Sequence, residues 1–358
     1  MTATNHPPVV DTRAAEDRTG TGPATRLSIK AATLWLPPVK EGAPDGELSS
    51  ADVERIGVTE LYVAPDDIAP PQMAALAVES ALGGSGTEPA DIGLLAHSFS
   101  YHQGFDMWSP AHYIAHQAGI IDGLPVNVQQ LCNGGAVALQ LAAKWLVATP
   151  DVSTALVTSA DRFCTPGFNR WSSDDDAAYS DSATAVLLGR TGEGDDFLHL
   201  LSLEMVTDSE WEVQMRGDDA FSSVPFGHGV PVDLRRANKV FRESGAAARM
   251  VKLGVPKMHE LVQRALRTAG VGREDISCVA LPRLTRTMRE GMFKPTISEV
   301  IGGNPRYLEC GTGCLGAGDF LANLVDIEEG LNPGEFGLII QGTGGYTFTC
   351  AVVQAPVE

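Results

Sequence analysis

The sequence has no hydrophobic run that approaches the about 20 apolar residues needed to span a membrane. Its first residues, Met-Thr-Ala-Thr-Asn-His-Pro-Pro, lack the apolar core of a signal peptide. Basic residues are also few, with 26 Lys and Arg against 45 Asp and Glu, which gives a formal net charge of −19. Nucleic acids and anionic membranes bind basic surfaces, so neither is expected as a partner.

Cysteine is scarce for a chain of this length, with six residues in 358. Six thiols here do not suggest a disulfide framework, and without an export signal they are expected to be reduced in the cytoplasm. No phosphate-binding glycine motif follows a strand, and no ligand spacing indicates a metal site. We therefore expect no metal and no permanently bound cofactor.

The chain divides by composition. Residues 1–25 are rich in Thr, Pro, Asp and Gly and poor in large apolar side chains, so a disordered tail is expected. A turn-rich stretch, Gly192–Asp196, divides the remainder into residues 26–192 and 193–358. A chain of this length exceeds one typical core, which favours two domains or two fused halves.

The two parts of the chain resemble each other. Segments 73–97 and 258–281 both contain a helix, a glycine turn, an Asp-Ile pair and a buried-type strand. Cys132 and Cys314 each open a helix, and the strands that follow lie 26 residues later in both cases, at Thr158 and Ile340. Two matches in the same order indicate an internal duplication and predict an α/β protein with mixed sheets. A pseudo-twofold axis would bring the two helix N-termini towards each other.

Cys132 lies between a strand that ends near Val128 and a helix opened by Gly134 and Gly135. The helix dipole and free backbone N–H groups at such a position favour a thiolate. The glycines allow a substrate to approach the backbone closely. Cys132 is therefore a candidate nucleophile, and a small buried apolar residue is the alternative interpretation.

These segments resemble ketosynthase III-like proteins of the thiolase fold over roughly residues 26–355. The resemblance rests on Cys132-Asn-Gly-Gly-Ala, Tyr179-Ser-Asp-Ser-Ala-Thr-Ala, Ala280-Leu-Pro-Arg, Leu315-Gly-Ala-Gly-Asp and Gly342-Thr-Gly-Gly-Tyr-Thr-Phe. It implies two duplicated halves whose mixed sheets sandwich central helices, and a homodimer.

The same resemblance implies a chemistry. Cys132 would take an acyl group from a thioester of coenzyme A or of an acyl carrier protein, both of which serve as co-substrates. The Cys132 N–H and a glycine of the Gly344-Gly345 turn would stabilise the oxyanion.

Two departures from the family pattern bear on the reaction. Arg283 stands where condensing enzymes of this family carry a histidine, and the asparagine of their Asn-Thr-Ser-like motif is missing beside Thr312. Arginine stays protonated and cannot act as an acid–base group, although it could bind a carboxylate or an oxyanion. Arg283 and Thr312 are therefore possible residues of the site, and decarboxylative condensation is harder to support.

The segment around Asp319 resembles an acyltransferase branch of specialised, polyketide-type metabolism, in which a Gly-His-Leu-Gly-Ala-x-Asp motif serves transfer to a hydroxyl or amine. Asp319 matches the aspartate, and Cys314 replaces the histidine. Cys314 is then either a second thiol or relay, or a small packing residue. His102 and His228, each in a loop, are possible substitutes for the missing base.

A basic run contrasts with the acidic remainder of the chain. It is expected either to meet the phosphates of coenzyme A or an acidic carrier, or to form a solvated helix face. Its members are Arg235, Arg236, Lys239, Arg242, Arg249, Lys252 and Lys257.

The sequence thus predicts an acyltransferase that carries an acyl group on Cys132 to a hydroxyl or amine acceptor. One alternative is a carbon–carbon condensing enzyme with an atypical site in which Arg283 and Thr312 replace the missing pair. A further alternative is a non-catalytic partner subunit, which loss of the histidine–asparagine pair supports and retention of Cys132 opposes.

Overall fold

A computed structural model of the chain describes residues 27–192, 196–344 and 347–357. The predicted tail at residues 1–25, and Gly345, lie outside the described residues. The strands are β1 Leu27–Trp35, β2 Val39–Gly42, β3 Glu60–Val63, β4 Ile92–Ser98, β5 Leu124–Val128, β6 Thr154–Asp161, β7 Ser182–Arg190, β8 Leu198–Thr207, β9 Ile276–Ala280, β10 Arg306–Tyr307, β11 Phe336–Thr343 and β12 Thr347–Gln354.

The helices lie between these strands, singly or in groups. They are α1 Ser50–Ile56, α2 Pro70–Ser85, α3 Pro110–Gln117, α4 Gly134–Ala148, α5 Val213–Arg216, α6 Leu234–Glu243, α7 Ala246–Ala269, α8 Arg286–Met288, α9 Lys294–Ser298 and α10 Asp319–Glu329. A π-helical turn, Arg289–Phe293, joins α8 to α9.

The main sheet shows the predicted duplication in its strand order, which is β10-β9-β11-β12-β8-β1-β7-β6-β4-β5. Strands β1 and β8 meet antiparallel at the centre, and each begins a half of five strands. In the first half β5, β4 and β6 are parallel, while β7 and β1 are antiparallel. The second half repeats this with β10, β9 and β11 parallel, and β12 and β8 antiparallel. The predicted mixed-sheet α/β fold is confirmed.

Helices α4 and α10 contact each other inside the fold, and both contact strands of the sheet. Leu139 of α4 and Phe320 of α10 are fully buried in one apolar cluster with side chains from both halves of the sheet. Helix α2 packs on β1 and β7, and α7 packs on β8 and β12, the equivalent strands of the second half. The two duplicated halves thus enclose a central helix pair.

Segment Leu131–Ala148 is long and apolar enough, by length and composition, to cross a membrane. It consists of α4 and the short turn before it, and α4 is one of the two central helices of the fold. Its inner face, which includes Ala138, Leu139 and Ala142, is fully buried. Packing in the core accounts for its apolar composition.

The N-terminus of α4 lies against the turn that begins α10. A Cβ atom added to Gly135 would lie 2.7 Å from the carbonyl oxygen of Ala317 and 2.8 Å from Cγ of Leu321. Only glycine permits this approach without a shift of the backbone. The segments that lead into α4 and α10, which carry Cys132 and Cys314, are therefore brought together, as the pseudo-twofold relation predicts.

Candidate active site

Cys132 lies in a short 3-10 turn, Leu131–Asn133, between the end of β5 and the start of α4. Leu131, immediately before it, has a φ angle of 48°. A left-handed backbone is strained for a bulky residue and costs on the order of 1–3 kcal/mol, and such strain concentrates at functional sites. The turn leaves Cys132 partly exposed on the wall of an internal cavity.

Cys314 lies directly beside Cys132, with 3.6 Å between the two Sγ atoms. Its backbone N–H donates to the carbonyl of Ala178 at 2.8 Å, and its carbonyl accepts from the N–H of Ser180 at 2.9 Å. These bonds fix Cys314 on the segment before β7. The side chain is completely buried. Its hydrogen bond with Cys132, together with burial, raises the pKa of the Cys314 thiol well above its ordinary value.

Asp319, the first residue of α10, continues this series of polar groups. Its Oδ2 atom accepts from the Cys314 thiol at 3.6 Å, and its Oδ1 atom accepts from the Leu315 N–H at 2.6 Å. The Gln341 amide donates to Oδ2 at 3.4 Å and to the Cys132 carbonyl at 3.1 Å. Complete burial raises the pKa of Asp319 to about 6 despite the nearby Arg283 charge.

Asp161, at the end of β6, positions the segments around the two thiols. Its carboxylate accepts from the backbone N–H groups of Ser100 and Tyr101 and from that of Ala317, at 2.8–3.0 Å. Gly316, with a φ of 61°, approaches so closely that an added Cβ would lie 2.3 Å from Asp161 Oδ2. Burial raises the pKa of Asp161 to about 6. One carboxylate thus ties the first half of the fold to the turn before α10.

The cavity in front of Cys132 has a volume of about 390 Å³ and a mostly apolar wall. Helices α6 and α7 cover it with Leu234, Met250, Val255 and Met258. Cys132 and Gly344 line the same space. Next to Cys132, an aromatic cluster contributes Phe163, Phe168 and Tyr179, whose ring centroids lie 4.7–5.1 Å apart.

One part of the cavity wall is polar. The Tyr179 hydroxyl donates to Asp174 Oδ2 at 2.6 Å, and the Asn238 amide nitrogen donates to Asp174 Oδ1 at 3.4 Å. This second bond leaves Asn238 Oδ1 buried without a hydrogen-bond partner in the described structure. The neighbouring Asp176 also lines the cavity, and burial together with the Asp174 charge raises its pKa to about 6. This part of the wall therefore offers hydrogen-bond acceptors to a ligand that carries O–H or N–H groups.

The structure places four of the predicted site residues away from this cavity. Arg283 is buried, and its guanidinium donates to Thr312 Oγ1 at 2.8 Å and to Asp326 Oδ2 at 2.5 Å. Arg283 and Thr312 are therefore bonded to each other, and Arg283 is also bonded to Asp326 of α10. His102 is exposed in a loop, and His228 is exposed near Asp219. None of the four is among the described residues that line the cavity.

The basic run lies on the two helices that cover the cavity, with four members on α6 and three on α7. Six of its seven members pair with carboxylates of the chain itself. The pairs are Arg235–Asp175, Arg236–Asp218, Lys239–Glu243, Arg242–Asp175, Arg249–Glu210 and Lys257–Asp208. Lys252 is exposed and has no ion pair in the described part of the chain. The surface formed by the run therefore carries less net positive charge than its sequence suggests.

Several residues of the site were not singled out from the sequence as site residues: Asp161, Asp174, Asp176, Asn238 and Gln341. Asp161 and Gln341 share a signal, since each is a polar residue in the last part of a buried strand. Asp174 and Asp176 lie on a loop, and Asn238 lies on the charged helix α6. Polar side chains are common in both places, so they do not indicate a site in the sequence.

Comparison with known proteins identifies the family. A family model described as 3-oxoacyl-[acyl-carrier-protein] synthase III matches residues 126–209, the segment that carries Cys132. A solved structure named ChlB3, described as an acyltransferase, is 31% identical to this chain. Its match covers 93% of this chain and 98% of ChlB3, with a TM-score of 0.83. The chain belongs to the ketosynthase III-like family.

Other structures of ketosynthase III-like proteins share the fold at lower identity. The 3-oxoacyl-[acyl-carrier-protein] synthase III of Aquifex aeolicus VF5 is 19% identical, with 92% of this chain and 99% of that chain covered and a TM-score of 0.70. The priming β-ketosynthase of the R1128 polyketide biosynthetic pathway is 17% identical, covering 94% and 99%, also with a TM-score of 0.70. The search of curated proteins finds no significant match.

Proposed function

We propose that this ketosynthase III-like protein is an acyltransferase that carries an acyl group on Cys132. The donor is an acyl thioester of coenzyme A or of an acyl carrier protein, and the acceptor is a hydroxyl or an amine. The observation that carries the proposal is the continuous series Cys132, Cys314 and Asp319, whose first member lines a cavity of about 390 Å³. We assign the protein to specialised, polyketide-type metabolism in the cytoplasm.

The series supplies the proton transfers that an acylation needs. Cys132 passes its proton to Cys314 as Cys314 passes its own proton to Asp319, so the Cys314 thiol stays neutral before and after. Its raised pKa is compatible with this role, because no free Cys314 thiolate is formed. Asp319 is a better base than an ordinary carboxylate, since its pKa is about 6. The Cys314 thiol and the Asp319 carboxylate together accept the proton that an imidazole would otherwise accept.

The Cys132 thiolate attacks the thioester carbonyl, and the donor thiol leaves after the tetrahedral intermediate collapses. Backbone N–H groups of Cys132 and of the glycine turn that begins at Gly344 are our candidates for the oxyanion site. Gly344 supports this role because it lines the cavity together with Cys132 and has a φ of 44°, a conformation that favours glycine. The acceptor then attacks the Cys132 thioester in a second transfer.

A hydroxyl or amine acceptor is favoured by the polar part of the cavity wall. Asp176 and the unpartnered Asn238 Oδ1 are hydrogen-bond acceptors, and the O–H or N–H group of an alcohol or amine can donate to them. A malonyl carboxylate would meet the negative charge of Asp174 and Asp176 instead. The described cavity lining also contains no histidine to stabilise an enolate. These features favour acyl transfer over decarboxylative condensation.

Intact-mass analysis tests the proposal. The protein is incubated with a panel of acyl thioesters on coenzyme A and on an acyl carrier protein, and we expect a stoichiometric adduct on the wild type. Cys132→Ala should show none, whereas Cys164→Ser, which alters another partly exposed thiol, should load normally. An adduct that persists on Cys132→Ala would refute the role of Cys132.

Two further outcomes separate the alternatives. Release of carbon dioxide and a β-keto product from a malonyl donor would identify a condensing enzyme. A folded wild type that no thioester acylates would identify a non-catalytic partner subunit. Transfer of the acyl group from Cys132 to an added alcohol or amine supports the acyltransferase.

A further inference from the structure

The two adjacent thiols differ sharply in their access to solvent. Cys132 lines the cavity and is partly exposed, whereas Cys314 is fully buried behind it. A small reagent that enters the cavity therefore reaches the Cys132 sulfur first. The Cys314 sulfur, 3.6 Å away, is then the nearest partner for whatever forms on Cys132.

The surroundings permit a covalent bond between the two sulfur atoms. A disulfide has an S–S distance of about 2.05 Å, so the two atoms must approach by roughly 1.5 Å. Rotation about the Cα–Cβ bonds moves both sulfur atoms, while backbone hydrogen bonds to Ala178 and Ser180 keep the Cys314 main chain in place. Asp319 accepts from the Cys314 thiol and can take its proton.

We propose that Cys132 and Cys314 form a reversible disulfide when the protein meets a hydroperoxide. The Cys132 thiolate attacks the terminal, hydroxyl oxygen of the hydroperoxide; the O–O bond breaks, and the sulfur is oxidised by two electrons to a sulfenic acid. The leaving group is alkoxide, or hydroxide from hydrogen peroxide, and it takes up the proton released by Cys132 to become an alcohol or water. Cys314 then attacks the sulfenic sulfur: the S–S bond forms, the S–O bond breaks, and the departing hydroxide takes up the thiol proton as water. Overall, two thiols and one hydroperoxide give a disulfide, water and an alcohol, or two waters from hydrogen peroxide.

The disulfide has two consequences for the site. It removes the thiolate that the proposed acyl transfer requires, so the oxidised protein accepts no acyl group. It also protects Cys132 from further oxidation to a sulfinic acid, which is essentially irreversible. A relay thiol at position 314 thus gives the site a reversible off state that an imidazole at the same place would not provide.

Peptide mapping of the wild type tests the disulfide directly. The native protein is treated with a few equivalents of hydrogen peroxide, alkylated and digested without reduction. We expect a mass decrease of about 2 Da and a cross-linked peptide pair that contains Cys132 and Cys314. Dithiothreitol should restore the original mass. Accumulation of a Cys132 sulfinic acid without the cross-link, or a cross-link to another cysteine, would overturn the proposal.

Matched variants sharpen the result. Cys164→Ser should form the disulfide as the wild type does. Cys314→Ser, its fold checked by circular dichroism, should instead be oxidised at Cys132 to a sulfinic acid, with a gain of two oxygen atoms that dithiothreitol does not reverse. The proposed function is tested separately: a protein that cross-links but is never acylated contradicts the acyltransferase alone. A protein that is acylated but never cross-links contradicts only this inference.

Discussion

At the scale of single residues, the proposed acid–base chemistry depends on a thiol placed next to a buried carboxylate. Cys314 alone is a poor base, and its raised pKa makes it reluctant to ionise. Its contact with Asp319 changes this, because the proton that Cys314 receives from Cys132 replaces the one it donates. In the proposed reaction the Asp319 carboxylate, whose pKa is about 6, is the final proton acceptor. The protonation state of Asp319 should therefore control how fast Cys132 is acylated.

Asp319→Asn should slow acylation of Cys132 by about 100-fold, in the range of a lost general base. In the wild type the rate should fall as the pH drops through about 6, because protonated Asp319 cannot accept a proton. The measurement is the rate of adduct formation by rapid-quench mass spectrometry between pH 5 and 8. The variant should lose this pH dependence.

Asp176→Asn is the matched control, since Asp176 also has a pKa of about 6 but lies on the polar wall of the cavity. It should retain the pH profile of the acylation step. If Asp319→Asn kept that profile and Asp176→Asn lost it, the base would be Asp176, and the relay through Cys314 would be wrong.

The sequence singled out the three residues that the structure brings together as a thiol–thiol–carboxylate series, but not the polar residues that surround them. Cys132, Cys314 and Asp319 belong to segments whose order and spacing are characteristic. Nothing in the sequence distinguishes Asn238 and Asp176 from other polar residues, because only the fold places them in the wall of an apolar cavity. Arg283 illustrates the opposite case, because its partner Asp326 lies 43 residues away and no local pattern links the two.

At the scale of secondary structure elements, the site depends on the close approach of two helix starts. The sequence predicted both helices, the strand before the first and the strand after each, because periodicity and glycine turns are local signals. It did not predict how closely they pack. The separation is set by small residues on both sides: Gly135 meets the carbonyl oxygen of Ala317, and Gly316 meets Asp161.

Gly135→Ala should therefore destabilise the protein by about 1–3 kcal/mol, because its Cβ would lie 2.7 Å from backbone. Gly83→Ala in α2 is the matched control, since nothing lies within 4 Å of its added Cβ. That variant should be neutral or stabilised by about 0.5–1 kcal/mol through helix propensity. Urea unfolding midpoints measure both changes. Equal midpoints for the two variants would contradict the close approach of the helix starts.

Helices α6 and α7 carry the basic run over the cavity, and most of its charges are already neutralised in pairs. Lys252 is the member without an ion pair in the described structure, so it is the best test of donor docking. Lys252→Glu should raise the KM for an acyl carrier protein several-fold with little change in kcat, and the effect should shrink at high salt.

Arg273→Glu is the control for charge alone. Arg273 follows the C-terminus of α7, which has 24 residues and is therefore about 36 Å long. It lies far from the cavity end of the helix, and its reversal should leave KM unchanged. Equal effects of both variants would indicate a response to net charge and not a docking face.

At the scale of the whole molecule, strand β5 lies at one edge of the main sheet. An unpaired strand edge invites pairing with a second chain. Apolar side chains are exposed beside this edge, including Ile121 at 79% and Leu124 at 45%. The loop after β4 adds the exposed Phe105 and Met107. The resemblance to the family predicts a homodimer from the sequence, and these residues indicate which edge would form it.

Light scattering coupled to size-exclusion chromatography should therefore give twice the 37.8 kDa of one chain. The double variant Ile121→Lys, Leu124→Lys should shift the protein to a monomer, because burying two unpaired charges in an interface is costly. Val39→Lys, at an exposed apolar residue of the separate two-stranded sheet, should remain dimeric. A wild type that stays monomeric at micromolar concentration would exclude the dimer. A double variant that stays dimeric would place the interface on another face.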